Sequence, residues 1–315
     1  MQKNKLWKAL SSYRSLAGLV LLFVIASVVS PYFFTVNNLL NVLMQISMIG
    51  VLSVGMTMVI IAGGIDLSVG SLIAIVSVAV AHVLNAGGGT ILAILAGVAT
   101  GTAFGLFNGI AVAKGRIEPF IVTLATMAIA RGAALVWSGA HTMIIEPPPA
   151  FAFISNGSLL GLPMPVVIAV VVFIIGGVVL RHSVFGRYVY AVGGNAEATR
   201  LSGIQVDLYR IAVFVISGAL AGVAGAMYTS LLSIGEPTAG QLYELDAIAA
   251  VVIGGTSFAG GVGGIGLTAI GIMIIGLINN VQNLLNISPY SQEVVKGLII
   301  LIAVLTSKKG AASQG

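Results

Sequence analysis

Few side chains in this sequence could do chemistry, and those few sit in or beside long apolar runs. Asp66, Glu244 and Asp246 are carboxylates beside such runs, Arg131 lies inside one, and Asn279, Asn280, Gln282 and Asn283 place amides in another. A carboxylate inside a membrane can relay protons or bind a coupling ion. Each of these three also falls where a helix end is expected, where a capping or interfacial role would explain it. Arg131 lies about eleven residues into its run, or roughly 16 Å at the helical rise, too deep to face lipid. It can donate to a polyol or form part of a gate; it can equally pair with a helix carbonyl or with Glu293. The amides suit a polar path for a neutral, hydroxyl-rich solute, and they also suit hydrogen bonds between helices. Arg131, Asn279 and Asn283 are therefore the candidates for a translocation path.

Motifs for bond chemistry are missing. The sequence holds no G-x-x-x-x-G-K-[ST] phosphate loop, no H-E-x-x-H and no G-x-S-x-G, and His82, His141 and His182 are scattered. It has no cysteine, which removes thiolate catalysis and cysteine metal sites. No metal, no cofactor and no enzymatic activity of its own are expected. If the chain moves a solute uphill, either an ion gradient or a separate ATPase supplies the energy.

The stretch from Gly186 to Arg210, GRYVYAVGGNAEATRLSGIQVDLYR, is a charged interlude between apolar runs. Its centre reads as a short helix. Asn195 is a good N-cap, Glu197 sits in the first turn where the helix dipole favours an anion, and Arg200 lies near the end. Gly203 can close it in the left-handed conformation. About two turns do not hold together alone in water, so this helix must dock on its own protein or on a partner.

The elements that must position these groups are set by composition. Of 315 residues 58% are apolar and 7% charged, against about 25% charged in a soluble domain. A core able to hide so many apolar residues is forbidden at this size, so the chain reads as an all-α polytopic membrane protein. Ten spans are expected, at about 16–29, 47–62, 67–83, 90–113, 119–137, 165–180, 211–228, 247–258, 265–285 and 294–306. An amphipathic stretch at 37–46 is expected to lie in the interface, the first span to be an uncleaved helix, and the eighth to be short for a bilayer of about 30 Å. Gly97, Gly101, Gly105 and Gly109 put a smooth face on the fourth span, where a neighbouring backbone can approach.

Charge sets the orientation. With both termini cytoplasmic, twelve of the fourteen Lys and Arg residues fall in cytoplasmic segments, while Arg131 and Lys296 fall in spans. Lys296 can then snorkel outward. One transmembrane domain over 1–315 results, with a cytoplasmic tail at 1–15, a cytoplasmic loop at 181–210 and an external loop at 138–164. The net charge of +5 is explained by this topology and not by nucleic acid.

Four words, GGIDLSVGS (63–71), KGRIEPFIVTLATMAIARG (114–132), GRYVYAVGGNAEATRLSGI (186–204) and PTAGQLYELDAIAAVVIGGTSFAGG (237–261), occur in order along the chain. Together they resemble the ribose-type branch of bacterial ABC sugar-uptake permeases, over nearly the whole length. The resemblance implies a permease in the bacterial inner membrane that pairs with a second permease chain, most simply as a homodimer. It also implies a cytoplasmic ABC ATPase that holds ATP and Mg, an external sugar-binding protein and a small sugar as cargo. The ATPase-contacting loop of the family corresponds to Gly193, Gly194, Asn195, Ala198, Ser202, Gly203 and Ile204, with Arg200 and Leu201 on the same helix. The likeness is loosest at 141–163. From the residues alone, an ion-coupled carrier and a passive polyol channel remain alternatives.

Overall fold

The fold is built around the run from Ser47 to Ile61, in which every residue is buried. A computed structural model describes residues 2–312, with side chains for 15–299 and 301. The basic groups at Lys3, Lys5, Lys8, Arg14, Lys308 and Lys309 lie outside the described side chains. The chain runs through α1 (Gln2–Val29), α2 (Val36–Ile61), α3 (Val69–Asn85), α4 (Gly89–Ala113) and α5 (Pro119–Ser138). Next come strand β1 (Met143–Ile144), α6 (Pro149–Asn156) and strands β2 (Ser158–Leu159) and β3 (Leu162–Pro163). Helices α7 (Met164–His182), α8 (Val184–Gly194), α9 (Ala196–Leu201) and α10 (Val206–Leu232) follow, then β4 (Ile234–Gly235). The chain ends with α11 (Tyr243–Gly254), α12 (Ile265–Leu284) and α13 (Pro289–Ala312). Among the described residues, six helices are long and apolar enough to cross a membrane: α2, α4, α5, α7, α10 and α12.

The amphipathic stretch at 37–46 does not form a separate interfacial segment. It is the first part of α2, because Thr35 caps the helix by accepting from the Asn38 N–H at 3.3 Å. Asn38 is then tied to the Phe33 carbonyl and to Asn280 of α12. With that start fixed, nothing breaks the helix before Ala62.

The glycine face of α4 meets α10. A Cβ added at Gly101 would strike the Gly218 carbonyl, and one at Gly105 would strike the Phe214 carbonyl. The contact is reciprocal, since Gly218 lies on the Gly101 carbonyl and Gly222 on the Val98 Cα. Backbone therefore packs on backbone along this seam, as small residues in membrane helices permit.

Helix α11 has 12 residues, or about 18 Å of rise, so by itself it is shorter than a bilayer of about 30 Å. It packs inside the bundle against α12, α2 and α13. The segment 138–164 is likewise bound to the helices. Met143 and Ile144 pair antiparallel with Gly235 and Ile234, and Phe151 is fully buried with its carbonyl accepting from Ser230 Oγ at 2.7 Å.

Candidate functional site

The charged interlude folds as two short helices that meet at Asn195. Ser183 Oγ accepts from the Gly186 N–H at 3.0 Å and starts α8, and Asn195 Oδ1 accepts from the Ala198 N–H at 2.9 Å and starts α9. Glu197 and Arg200 pair at 2.9 Å on the exposed face. Gly203, at φ +82°, ends the turn in the left-handed region, as a glycine there should. Thr199 holds the two helices together. It is buried, and its hydroxyl donates to the carbonyls of Ala191 and Asn195 at 2.9 and 2.7 Å. Sequence reasoning missed Thr199, although a threonine four residues after an N-cap was its signal.

The paired glycines divide their roles. Gly193 packs on the Ile61 carbonyl at the end of α2 and faces the turn at Gly260 and Gly261, so no side chain fits there. A Cβ on Gly194 would meet nothing within 4 Å. Tyr190 donates to the Gly263 carbonyl at 2.9 Å, and its burial pushes the phenol pKa up and keeps it a donor. The α8 helix is thus anchored to the core while α9 projects, with Leu201 81% exposed at its tip and Ser202 and Ile204 behind it. Beside α9 lies a cleft of about 480 Å³ walled by Arg116, Glu118, Arg200, Asp207 and Arg210.

Asp66 lies in the interior and not at an interface. It is fully buried, with Oδ1 accepting from the Ser68 N–H at 3.1 Å and Ser68 Oγ at 2.5 Å. Its Oδ2 accepts from Ser217 Oγ of α10 at 2.8 Å. Asn108 of α4 donates to Ser68 Oγ at 3.0 Å, and Thr126 of α5 donates to Asn108 Oδ1 at 2.6 Å. One hydrogen-bonded network therefore ties the start of α3 to α4, α5 and α10. Its donors are neutral hydroxyl, amide and backbone groups, which satisfy a buried carboxyl without a cation.

Arg131 reaches the segment before α11. Its Nη1 donates to the carbonyls of Pro237 and Ala239 at 3.2 and 2.7 Å. Nearby, Glu236 accepts from Thr142 Oγ1 and Thr238 Oγ1, both at 2.6 Å, and from the Thr238 N–H. Partial burial disfavours the Glu236 charge, but these donors and the charge of Arg131 outweigh it and hold the carboxyl below its usual range. Glu244 is buried with its carboxyl against Gly70 at the start of α3.

Asp246 is joined to Lys296 of α13 at 2.9 Å, so Lys296 does not snorkel away but closes an ion pair inside the protein. Removing one partner of a buried pair leaves the other charge uncompensated, whereas removing both can be nearly neutral. Lys296→Met is expected to destabilise the chain by about 3 kcal/mol, and Lys296→Met with Asp246→Leu to recover most of that. Thermal unfolding in detergent checks this, and equal losses in the single and double variants would rule the pair out as the cause.

The amides of α12 separate. Asn280 exchanges two hydrogen bonds with Asn38, and Asn283 is exposed and accepts from Gln292 at 2.9 Å. Asn279 Oδ1 and Gln282 Oε1 are buried without partners. Among the described residues, no hydrogen bond joins Arg131 to Asn279 or Asn283.

Residues 38–304 match the family described as branched-chain amino acid transport system, permease component. The chain belongs to this family of transport permeases. It is 46% identical over 309 residues to a ribose import permease protein of Escherichia coli strain K12, covering 97% of this chain and 96% of that one. A ribose import permease protein of Bacillus subtilis strain 168 is 45% identical, with 94% and 92% covered. The L-arabinose transport system permease protein of E. coli strain K12 is 39% identical, with 96% and 91% covered. No solved structure matches this chain.

Proposed function

We propose that this permease is the membrane-spanning subunit of an ATP-driven importer for ribose or a similar small sugar, placed in a bacterial inner membrane. All ten apolar segments fall wholly or largely on helices, and Lys114, Arg116 and the basic residues of 181–210 lie between them, which supports ten spans, the eighth completed by the segments flanking α11, with both termini and the 181–210 segment cytoplasmic. A second copy forms the other half of the path. An external binding protein delivers the sugar, and a cytoplasmic ABC ATPase holds ATP and Mg.

The observation that carries this reading is α9: a capped helix of six residues with Leu201 exposed at its tip, on a chain whose relatives are import permeases. An exposed leucine on so short a helix fits a groove on a partner. The adjoining cleft offers charges of both signs to the same partner. When the ATPase pair closes on ATP, α9 moves with it. The rigid attachment of α8 to α2 and to the Gly260 turn passes the motion to the bundle. The sugar then meets weak polar contacts, with Arg131, Asn279 and Asn283 as the path residues and the free acceptor of Gln282 beside them. Asp66 and Asp246 have their lone pairs engaged by hydroxyls and by Lys296, so neither favours ion coupling.

The test is to purify the chain from its native membrane in mild detergent. A stoichiometric ATP-hydrolysing subunit is expected to come with it. A chain that purifies alone and still moves ribose into liposomes would overturn the reading in favour of a carrier or channel.

A further inference from the structure

A second cavity, separate from the α9 cleft, lies on the outer side of the bundle between α2, α7 and α12. It is a groove of about 1220 Å³, beyond the roughly 300–1,000 Å³ of a small-molecule pocket. Along α7 its wall is aliphatic and aromatic, with Val170, Phe173, Ile174 and Val178, faced by Ile270 and Met273 of α12. From Val166 to His182 it extends about 24 Å at the helical rise. One end is different. There the lining residues are Arg181, His182, Arg187 and Tyr190.

Both arginines and the histidine are exposed, and among the described residues neither arginine takes part in a salt bridge or a side-chain hydrogen bond. A sugar would find almost no hydroxyl partners along such a wall. A second copy related by a two-fold axis near this end would set like charges together. An amphiphile with an anionic head and a long hydrocarbon tail matches both parts, and basic pockets between spans at the cytoplasmic face are known to suit such heads.

We infer that this groove holds one anionic phospholipid, its acyl chain along α7 and its phosphate at Arg181, His182 and Arg187. The cytoplasmic leaflet as its source rests on the topology proposed above; the binding itself does not. Occupancy would brace α7 against α2 and α12 and close the side of the bundle to the membrane.

The full chain, reconstituted in nanodiscs of equal phosphatidylglycerol and phosphatidylethanolamine, is extracted in mild detergent, and retained lipid is counted by native mass spectrometry. About one phosphatidylglycerol per chain is expected, with little phosphatidylethanolamine. Arg181→Gln with Arg187→Gln should lower retention at least about tenfold. Gly177→Leu should lower it too, since a Cβ there meets nothing within 4 Å and the added side chain fills the groove without disturbing the fold. Equal retention of the two lipids, or retention unchanged in both variants, would overturn the inference. So would displacement of the lipid by inorganic phosphate, which would make the site one for a small anion. The chain has no native cysteine, so Ile174→Cys reports a second copy directly. A disulfide-linked dimer through that residue would show the groove to be a subunit contact, and its absence is expected. None of these readouts involves ATP or sugar, so a failure here is distinct from a failure of the importer reading.

Discussion

Gly101→Leu is expected to prevent the permease from folding. The added Cβ would strike the Gly218 carbonyl and come within 2.9 Å of the Gly222 nitrogen, so backbone and not a flexible side chain has to give way. Overpacking a core typically costs about 1–3 kcal/mol and occasionally more. Here the atoms facing Gly101 are all backbone, with no side chain that can rotate aside, which puts the cost at or above about 3 kcal/mol. Gly132→Leu is the control, because a Cβ at Gly132 meets nothing within 4 Å. Size-exclusion profiles and thermal unfolding should show Gly132→Leu monodisperse and Gly101→Leu aggregated or missing. A Gly101→Leu protein with the same profile and melting point as the control would disprove the close backbone approach.

Leu201→Asp is expected to abolish coupling while leaving the bundle intact. Burying a leucine side chain in a partner groove is worth about 1.5–3 kcal/mol, or about ten- to hundredfold in affinity. A carboxylate in the same groove adds a desolvation penalty and weakens the contact further. Because Leu201 is 81% exposed in the isolated chain, the substitution should not alter folding or its melting point. The measurement is ATPase retained per chain on purification, together with ribose uptake in reconstituted vesicles. Retention and uptake equal to the unsubstituted chain would remove Leu201 from the docking surface. A parallel loss of chain from the membrane would instead make it structural.

The sequence was legible wherever the physics is local. Asn195 as a cap, Gly203 as a left-handed stop and the four-residue spacing of glycines on α4 depend on a few neighbours, and the structure has each as expected. Long-range partners were not legible. Asp66 does sit at the start of α3 and accepts from the Ser68 N–H there, but nothing near it in the chain points to its second partner, Ser217, 151 positions away. Lys296 looked free to reach water for the same reason, since Asp246 lies 50 positions earlier. That the stretch at 37–46 continues into the span as one helix was not legible either, because its start is fixed by Asn38 and Asn280, which exchange hydrogen bonds across 242 positions.

The burial of α2 also has a consequence for how the chain is made. Its neighbours are α7, α10, α11 and α12, all of them synthesised after it. A ribosome that has completed α2 has none of these to offer, so the helix first sits among lipid tails. Its apolar surface is comfortable there, and Ser53 and Thr57 are already bonded to carbonyls of their own helix. The core therefore closes last, when the final third of the polypeptide leaves the insertion machinery. A chain stopped before α12 leaves one face of α2 uncovered, and quality control in the membrane should treat it as unfinished.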